Sequence, residues 1–264
     1  MSQTNPNPPA GDIIRDWRRR RGLSQLDLAG EAGISTRHLS FVETGRASAG
    51  RAVLDRLAES LAMPLRARNT LFLTAGFAPV FPERDLAAPE LAEARLAIDL
   101  VLHGHAPFPA LAVDRHWHML AANAAIAPLI AGVLPALLEP PVNVLRLSLH
   151  PEGLAPRIEN LGEWRAHLLE RLRRQCAETG DTSLERLREE LAAYPFRASA
   201  RPPEPLAGIA VPLRLAVPGA PAPLALISTT TIFATPRDVT LAEVALECFY
   251  PADAATRDWL TAKR

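Results

Sequence analysis

Residues 33–46 read GISTRHLSFVETGR, and their types and spacing suit contact with the edges of bases. Leu39 and Val42 recur at i and i+3, the spacing of one buried stripe on a helix. Thr36, Arg37, Ser40 and Phe41 occupy the opposite side. Ser35 stands where an N-cap accepts a backbone N–H, and Gly45 stops the helix soon afterwards. A short rod, apolar behind and hydrogen-bonding in front, fits the major groove of duplex DNA and brings its leading side chains to the bases.

Two further groups of residues have spacing that could do chemistry. Arg146 and His150 lie four apart in a predicted helix, hence on one face. With Asn143 they could clamp a carboxylate, for which Arg is the stronger partner; the plainer alternative is an internal network with Glu159 or Asp114. His103 and His105, like His116 and His118, are paired at i and i+2, which share a face in a strand. No cysteine or clustered carboxylate completes a four-ligand set in the sequence, so no metal site is expected, and no cofactor. GxSxG, HExxH and Walker patterns are absent from the sequence, so no catalytic residue is assigned and the chain does not read as an enzyme.

The elements that must position these residues follow from periodicity and punctuation. Five short helices fit residues 11–75. The first covers 12–21 and ends at Gly22. The second opens on Ser24 with Asp27 three residues on, a capping-box pattern, and runs to the turn at Gly33. The third is the rod described above. The fourth covers 51–61, with Val53, Leu54, Leu57, Ala58 and Leu61 on one face, and the fifth covers 65–75. Two short helices joined by a Gly-containing turn make a helix-turn-helix. Residues 76–90 hold several prolines and a charged triplet and read as a stiff linker. Beyond them the texture is mixed α+β. A helix is expected over 89–102, and two short strands joined by a turn at Asp114 and Arg115 lead into a helix. Further helices fit 142–149, 157–179 and 183–193. Strands fit 209–217 and 224–233, with a long Pro-rich loop between them, and the chain returns to helix at its end. Residues 1–10 are polar and Pro-rich and read as a disordered leader, with no apolar run for a secretory signal.

Composition bounds what this arrangement can do. The 264 residues suffice for two domains, and formal net charge is zero. That zero is an average. Residues 1–75 hold 11 Arg against 7 Asp or Glu, a balance of +4, and the remainder carries −4. The basic part contains the rod, the expected sign for a phosphate-facing module. Cys176 and Cys248 lie far apart, which excludes a disulfide framework and suits a reducing, cytoplasmic setting. The run from Met119 to Leu138 carries no formal charge, but a membrane span needs ~20 apolar residues. Asn123, Pro128, Gly132 and Pro135 interrupt it, so it reads as a buried, broken pair of helices.

The segments RRGLSQLDLAGEAGIS and LSFVETGR resemble the phage-repressor-like, or XRE, family of helix-turn-helix regulators over about residues 11–75. The resemblance implies that Gln25 holds a phosphate and that Ser35 both caps and touches phosphate. Thr36, Arg37 and Phe41 fall where that family reads bases. The Arg37 fork would suit guanine O6 and N7, worth roughly 1–3 kcal/mol against a wrong base. Phe41 departs from the common polar choice and would pack on a thymine methyl or on the domain itself. His38 and Ser40 become candidates for backbone contact, Arg46 would reach the next phosphate, and Glu43 would pair structurally with Arg18.

The blocks GFAPVFPERDL, PFPALAVDRHWHMLAAN, VNVLRLSLHPEGL and DVTLAEVALECFYPAD resemble the ligand-binding domain of MmyB-like regulators, from Gly76 to the C-terminus. This resemblance implies a PAS-like sensor domain over 91–264 and a fatty-acid-like ligand. Together the readings predict an all-α helix-turn-helix domain followed by an α+β PAS-like domain. The function implied is a dimeric transcriptional regulator on a double-stranded DNA operator, since two half-sites one turn apart need two readers. Against this stand a C-terminal half that only oligomerises or binds a protein partner, and one that is an unrecognised enzyme.

Overall fold

A computed structural model describes residues 9–196 and 211–262. The expected leader and the start of the strand expected over 209–217 fall partly outside the described residues. The chain divides into two compact units at Arg84/Asp85, within the Pro-rich stretch 76–90; Ala177–Thr179 and Arg237–Val239 cluster with the first unit.

The first unit is five helices: α1 (Ala10–Arg20), α2 (Gln25–Glu31), α3 (Thr36–Glu43), α4 (Arg51–Ser60) and α5 (Leu65–Thr74). Their apolar stripes meet in one core, in which Ile14, Leu28, Leu39, Leu54, Leu57, Leu61, Leu71 and Phe72 are fully buried. Each such side chain contributes about 1.5–3 kcal/mol relative to exposure. The predicted caps form. Ser24 Oγ accepts from Asp27 N while the Asp27 carboxylate accepts from Ser24 N, and Ser35 Oγ accepts from His38 N at 3.1 Å. Gly33 makes the turn between α2 and α3 with φ +63°, a conformation that a Cβ disfavours.

The first helix begins at Ala10 rather than near Asp12, and this places Gly11 inside it. A Cβ on Gly11 would lie 2.2 Å from the Val42 carbonyl oxygen, so α1 approaches the backbone of α3 where only glycine fits. Part of the expected linker is also tied down. Buried Asn69 accepts from Val80 N and Phe81 N through Oδ1 and donates through Nδ2 to Phe81 O.

The second unit contains α6 (Ala92–Gly104), β1 (Ala110–Val113), β2 (Met119–Ala122), α7 (Ala127–Ile130) and α8 (Val144–Leu149). There follow α9 (Leu161–Thr179), α10 (Thr182–Ala193), β3 (Leu213–Leu215), β4 (Leu224–Ile232), α11 (Val239–Ala242), β5 (Ala245–Pro251) and α12 (Ala254–Ala262). The strands form one antiparallel sheet in the order β2-β1-β5-β4-β3. Both predicted hairpins form. The central strand, β5, is absent from the sequence reading, which went straight to the final helix. Central strands are buried on both faces and lose the polar–apolar alternation that marks a half-exposed strand, and Glu247 interrupts the apolar run of this one.

The sheet separates two clusters. Ala110, Ala112, Leu246 and Cys248 face Ile98 and Leu102 of α6. Leu111, Val113, Leu213, Leu215, Leu224 and Leu226 face the larger cluster built from α7 to α10. Within that cluster Trp164, Leu168, Leu172 and Cys176 form the buried i, i+4 stripe of α9. The uncharged run from Met119 to Leu138 is not a pair of helices. It opens as β2 and continues as short turns of helix at 124–126, 127–130 and 135–138, because proline and glycine deny it continuous pairing. Among the described residues, no helix is long and apolar enough to cross a membrane.

Candidate nucleic-acid interface and ligand cavity

The leading end of α3 is built by its cap and by what lies beneath it. With Leu39 and Val42 buried, Thr36, Arg37, Ser40 and Phe41 are left at least partly exposed. The Arg37 guanidinium lies over the Phe41 ring at 5.3 Å, so the aromatic steadies the fork that would meet a base. Arg46 is exposed just past the helix end, and its N–H bonds to Phe41 O at 2.8 Å. Ser40 O accepts from the Thr44 hydroxyl, closing the last turn.

Beneath this face Glu43 is almost wholly buried. Its carboxylate accepts from Arg18 Nε at 2.7 Å and Nη2 at 2.9 Å, and from Gln25 Nε2 at 2.8 Å. Burial pushes the Glu43 carboxyl upward, but the hydrogen bonds from Arg18 and Gln25 and the nearby arginine charges outweigh it and hold the group below its ordinary value. One residue from each of α1, α2 and α3 thus meets at a single carboxylate. The predicted Arg18–Glu43 pair is present. Gln25, the candidate for phosphate, has its amide nitrogen directed at Glu43.

The second unit holds a cavity; the empty space in and in front of it, open solvent at its mouth included, is about 760 Å³. Trp117, Leu129, Leu145, Trp164 and Leu168 are among its largely apolar walls, and its polar lining consists of Ser148, Arg171, Ser228 and Glu247. Arg171 and Glu247 are joined by two hydrogen bonds, Nη1 to Oε2 at 3.0 Å and Nη2 to Oε1 at 2.5 Å. Thr230 Oγ1 donates to Glu247 at 2.9 Å, and the Arg171 guanidinium sits 4.5 Å from the Trp117 ring centre. Ser148 Oγ accepts from Trp164 Nε1 at 3.0 Å.

A family model of the MmyB-like transcription regulator ligand binding domain matches residues 94–262, and a helix-turn-helix model matches residues 14–67. The chain belongs to the MmyB-like transcription regulators. No match was found among curated proteins.

In this MmyB-like regulator, Asn143, Arg146 and His150, the residues expected to clamp a carboxylate, are not among those that line this cavity. Asn143 caps α8, its Oδ1 accepting from Leu145 N and Arg146 N and its Nδ2 donating to His116 O. Arg146 makes a two-pronged bond to Glu190, both contacts 2.8 Å. His150 lies past the end of α8, where Nδ1 accepts from Glu152 N and the ring meets Tyr194 edge-on. An internal network is what forms, though through Glu190 rather than Glu159 or Asp114.

The histidine pairs resolve differently. His103 and His105 bond to carbonyls, those of Asp99 and Phe249. His116 and His118 sit in the β1–β2 turn with Asp114, and the three offer ligand atoms within 4.8 Å of one another. The sequence reading missed Asp114 as their carboxylate. Each imidazole already has an acidic partner, His118 with Asp114 at 3.0 Å and His116 with Asp181 at 2.9 Å, so the trio as it stands closes the turn. That turn holds Trp117 at φ +68°, costly for a bulky residue, and Asp114 Oδ1 supports it by accepting from the N–H groups of His116 and His118.

Sequence reasoning also missed Arg171 and Glu247. Arg171 is one of many arginines on α9; its signal is the i+7 spacing from Trp164, which puts it on the buried side. Glu247 required recognising β5.

Proposed function

We propose that this transcriptional regulator acts as a homodimer on a double-stranded operator and that a slender, fatty-acid-like molecule in the second-unit cavity modulates it. The observation that carries the reading is the pairing of features in one chain: a capped rod presenting Arg37 in a basic helical unit, and a nearly apolar cavity in the other. Thr36, Arg37 and Phe41 read bases; Gln25, Ser35, His38, Ser40 and Arg46 are the candidates for backbone contact. The ligand acts only so far as it binds the DNA-competent and DNA-incompetent states with different affinity. The fitting test is selection of bound duplexes from random DNA, followed by operator titration with and without lipid extracted from the host. A symmetric consensus whose affinity shifts with lipid is the expected result; no enrichment at low ionic strength would overturn the reading.

A second reading has its own support. Leu96, Leu100 and Val101 on α6 remain exposed, as apolar side chains at a subunit contact are in the isolated chain. A second unit that only oligomerises would give a dimer with no bound lipid by native mass spectrometry.

A further inference from the structure

The polar end of the cavity has an unusual charge state for a site expected to hold a fatty acid. Its cation, Arg171, is already held by a carboxylate of the protein. Glu247 lies in the central strand and is 4% exposed, opposite Thr230 in the register of β4 and β5. Arg171 bonds both Glu247 oxygens, and the Thr230 hydroxyl adds a third donor to them and accepts from Arg171 Nη2 at 2.6 Å. The polar end is therefore neutral before any ligand arrives.

This neutrality discriminates among amphiphiles. A bound carboxylate would meet the Glu247 carboxylate across a low-dielectric wall. It could accept from the Arg171 N–H groups that Glu247 and Thr230 leave over, but two carboxylates would then share one guanidinium at close range, and their mutual repulsion offsets much of what the new pair returns. An ammonium head would set a second cation beside Arg171. An uncharged head displaces nothing. A carboxylate has about four acceptor positions, of which the three hydrogen bonds to Glu247 use three, leaving it able to accept from a hydroxyl or amide N–H. Ser148 and Ser228 supply further hydrogen-bonding oxygen on the same walls.

We propose that the cavity takes an uncharged single-chain amphiphile, of the long-chain alcohol or amide class, in preference to an ionised fatty acid. The proposal rests on the cavity being a ligand site, and it restricts the ligand's head rather than its chain.

Trp117 and Trp164 line the cavity, so their fluorescence reports occupancy. Full-length protein is titrated with dodecanol, dodecanamide, dodecanoate and dodecylamine below their micellar concentrations, at a mildly alkaline pH where a free carboxyl is ionised. The alcohol and amide are expected to bind about tenfold or more tightly than either charged compound. In Glu247→Gln the arginine is released, and dodecanoate is expected to gain about tenfold while dodecanol changes little. Should that variant not fold, the wild-type ranking decides alone. Dodecanoate or dodecylamine matching dodecanol on the wild type overturns the proposal while leaving the cavity a ligand site. Binding by none of the four removes the ligand reading and the proposal with it.

Discussion

At the scale of single residues, the two arginines near α3 are expected to fail in different ways. Arg37→Ala should cost about 1–3 kcal/mol on the preferred operator and relax one base position, because a fork on a guanine edge is lost. Arg46→Ala should weaken all duplexes alike and reduce the slope of log affinity against log salt by about one. Competition titrations over a salt series on matched and mismatched duplexes separate the two. Glu43 carries a stability prediction. Its carboxyl is held below the ordinary glutamate value in the folded state, so the unfolded chain takes up the proton more readily. The stabilisation is therefore complete above the ordinary glutamate pKa and is lost as pH falls through the depressed folded value. Helical unfolding followed by circular dichroism should show that acid loss in the wild type and a weaker one in Glu43→Gln.

At the scale of elements, caps and stripes were legible because they are local: a serine before a helix and leucines at i and i+3 need no knowledge of the rest of the chain. Ser35→Ala should accordingly lower stability by about 1 kcal/mol, seen as a shift in the thermal or denaturant midpoint. What depends on a distant neighbour was not legible. Gly11 is adjacent in sequence to a helix start, and nothing there announces that the carbonyl of Val42 lies against it. Gly11→Val should destabilise the first unit by more than the few tenths expected of an exposed change, about 1–3 kcal/mol for an overpacked contact, read as a lower urea midpoint at unchanged slope. The strand β5 failed for a related reason: it is central only because β1, far away in the chain, pairs with the edge that β4 leaves open. Asn143, Arg146 and His150 were grouped by helical spacing, and their real partners, His116, Glu190 and Tyr194, come from three other segments.

At the scale of the whole molecule, the division into a basic helical unit and an acidic mixed unit could be read from composition and texture, and so could the two family resemblances. The chemistry of the cavity could not, since Arg171 and Glu247 stand 76 residues apart and meet only when the sheet forms. Ligand occupancy should be visible globally: a compound at about a hundred times its dissociation constant stabilises the folded chain by about 2.7 kcal/mol, measurable as a rise in Tm for dodecanol that Leu129→Trp, which fills the cavity, abolishes. The buried carboxylate shared by α1, α2 and α3 sets how such occupancy can be communicated. Stripping one partner from a buried ion pair costs about 3–5 kcal/mol, whereas an effector typically shifts an equilibrium by about 1–3 kcal/mol. An effector of that strength would leave the recognition rod on its mounting and would act instead on how often the intact head is offered to the double helix.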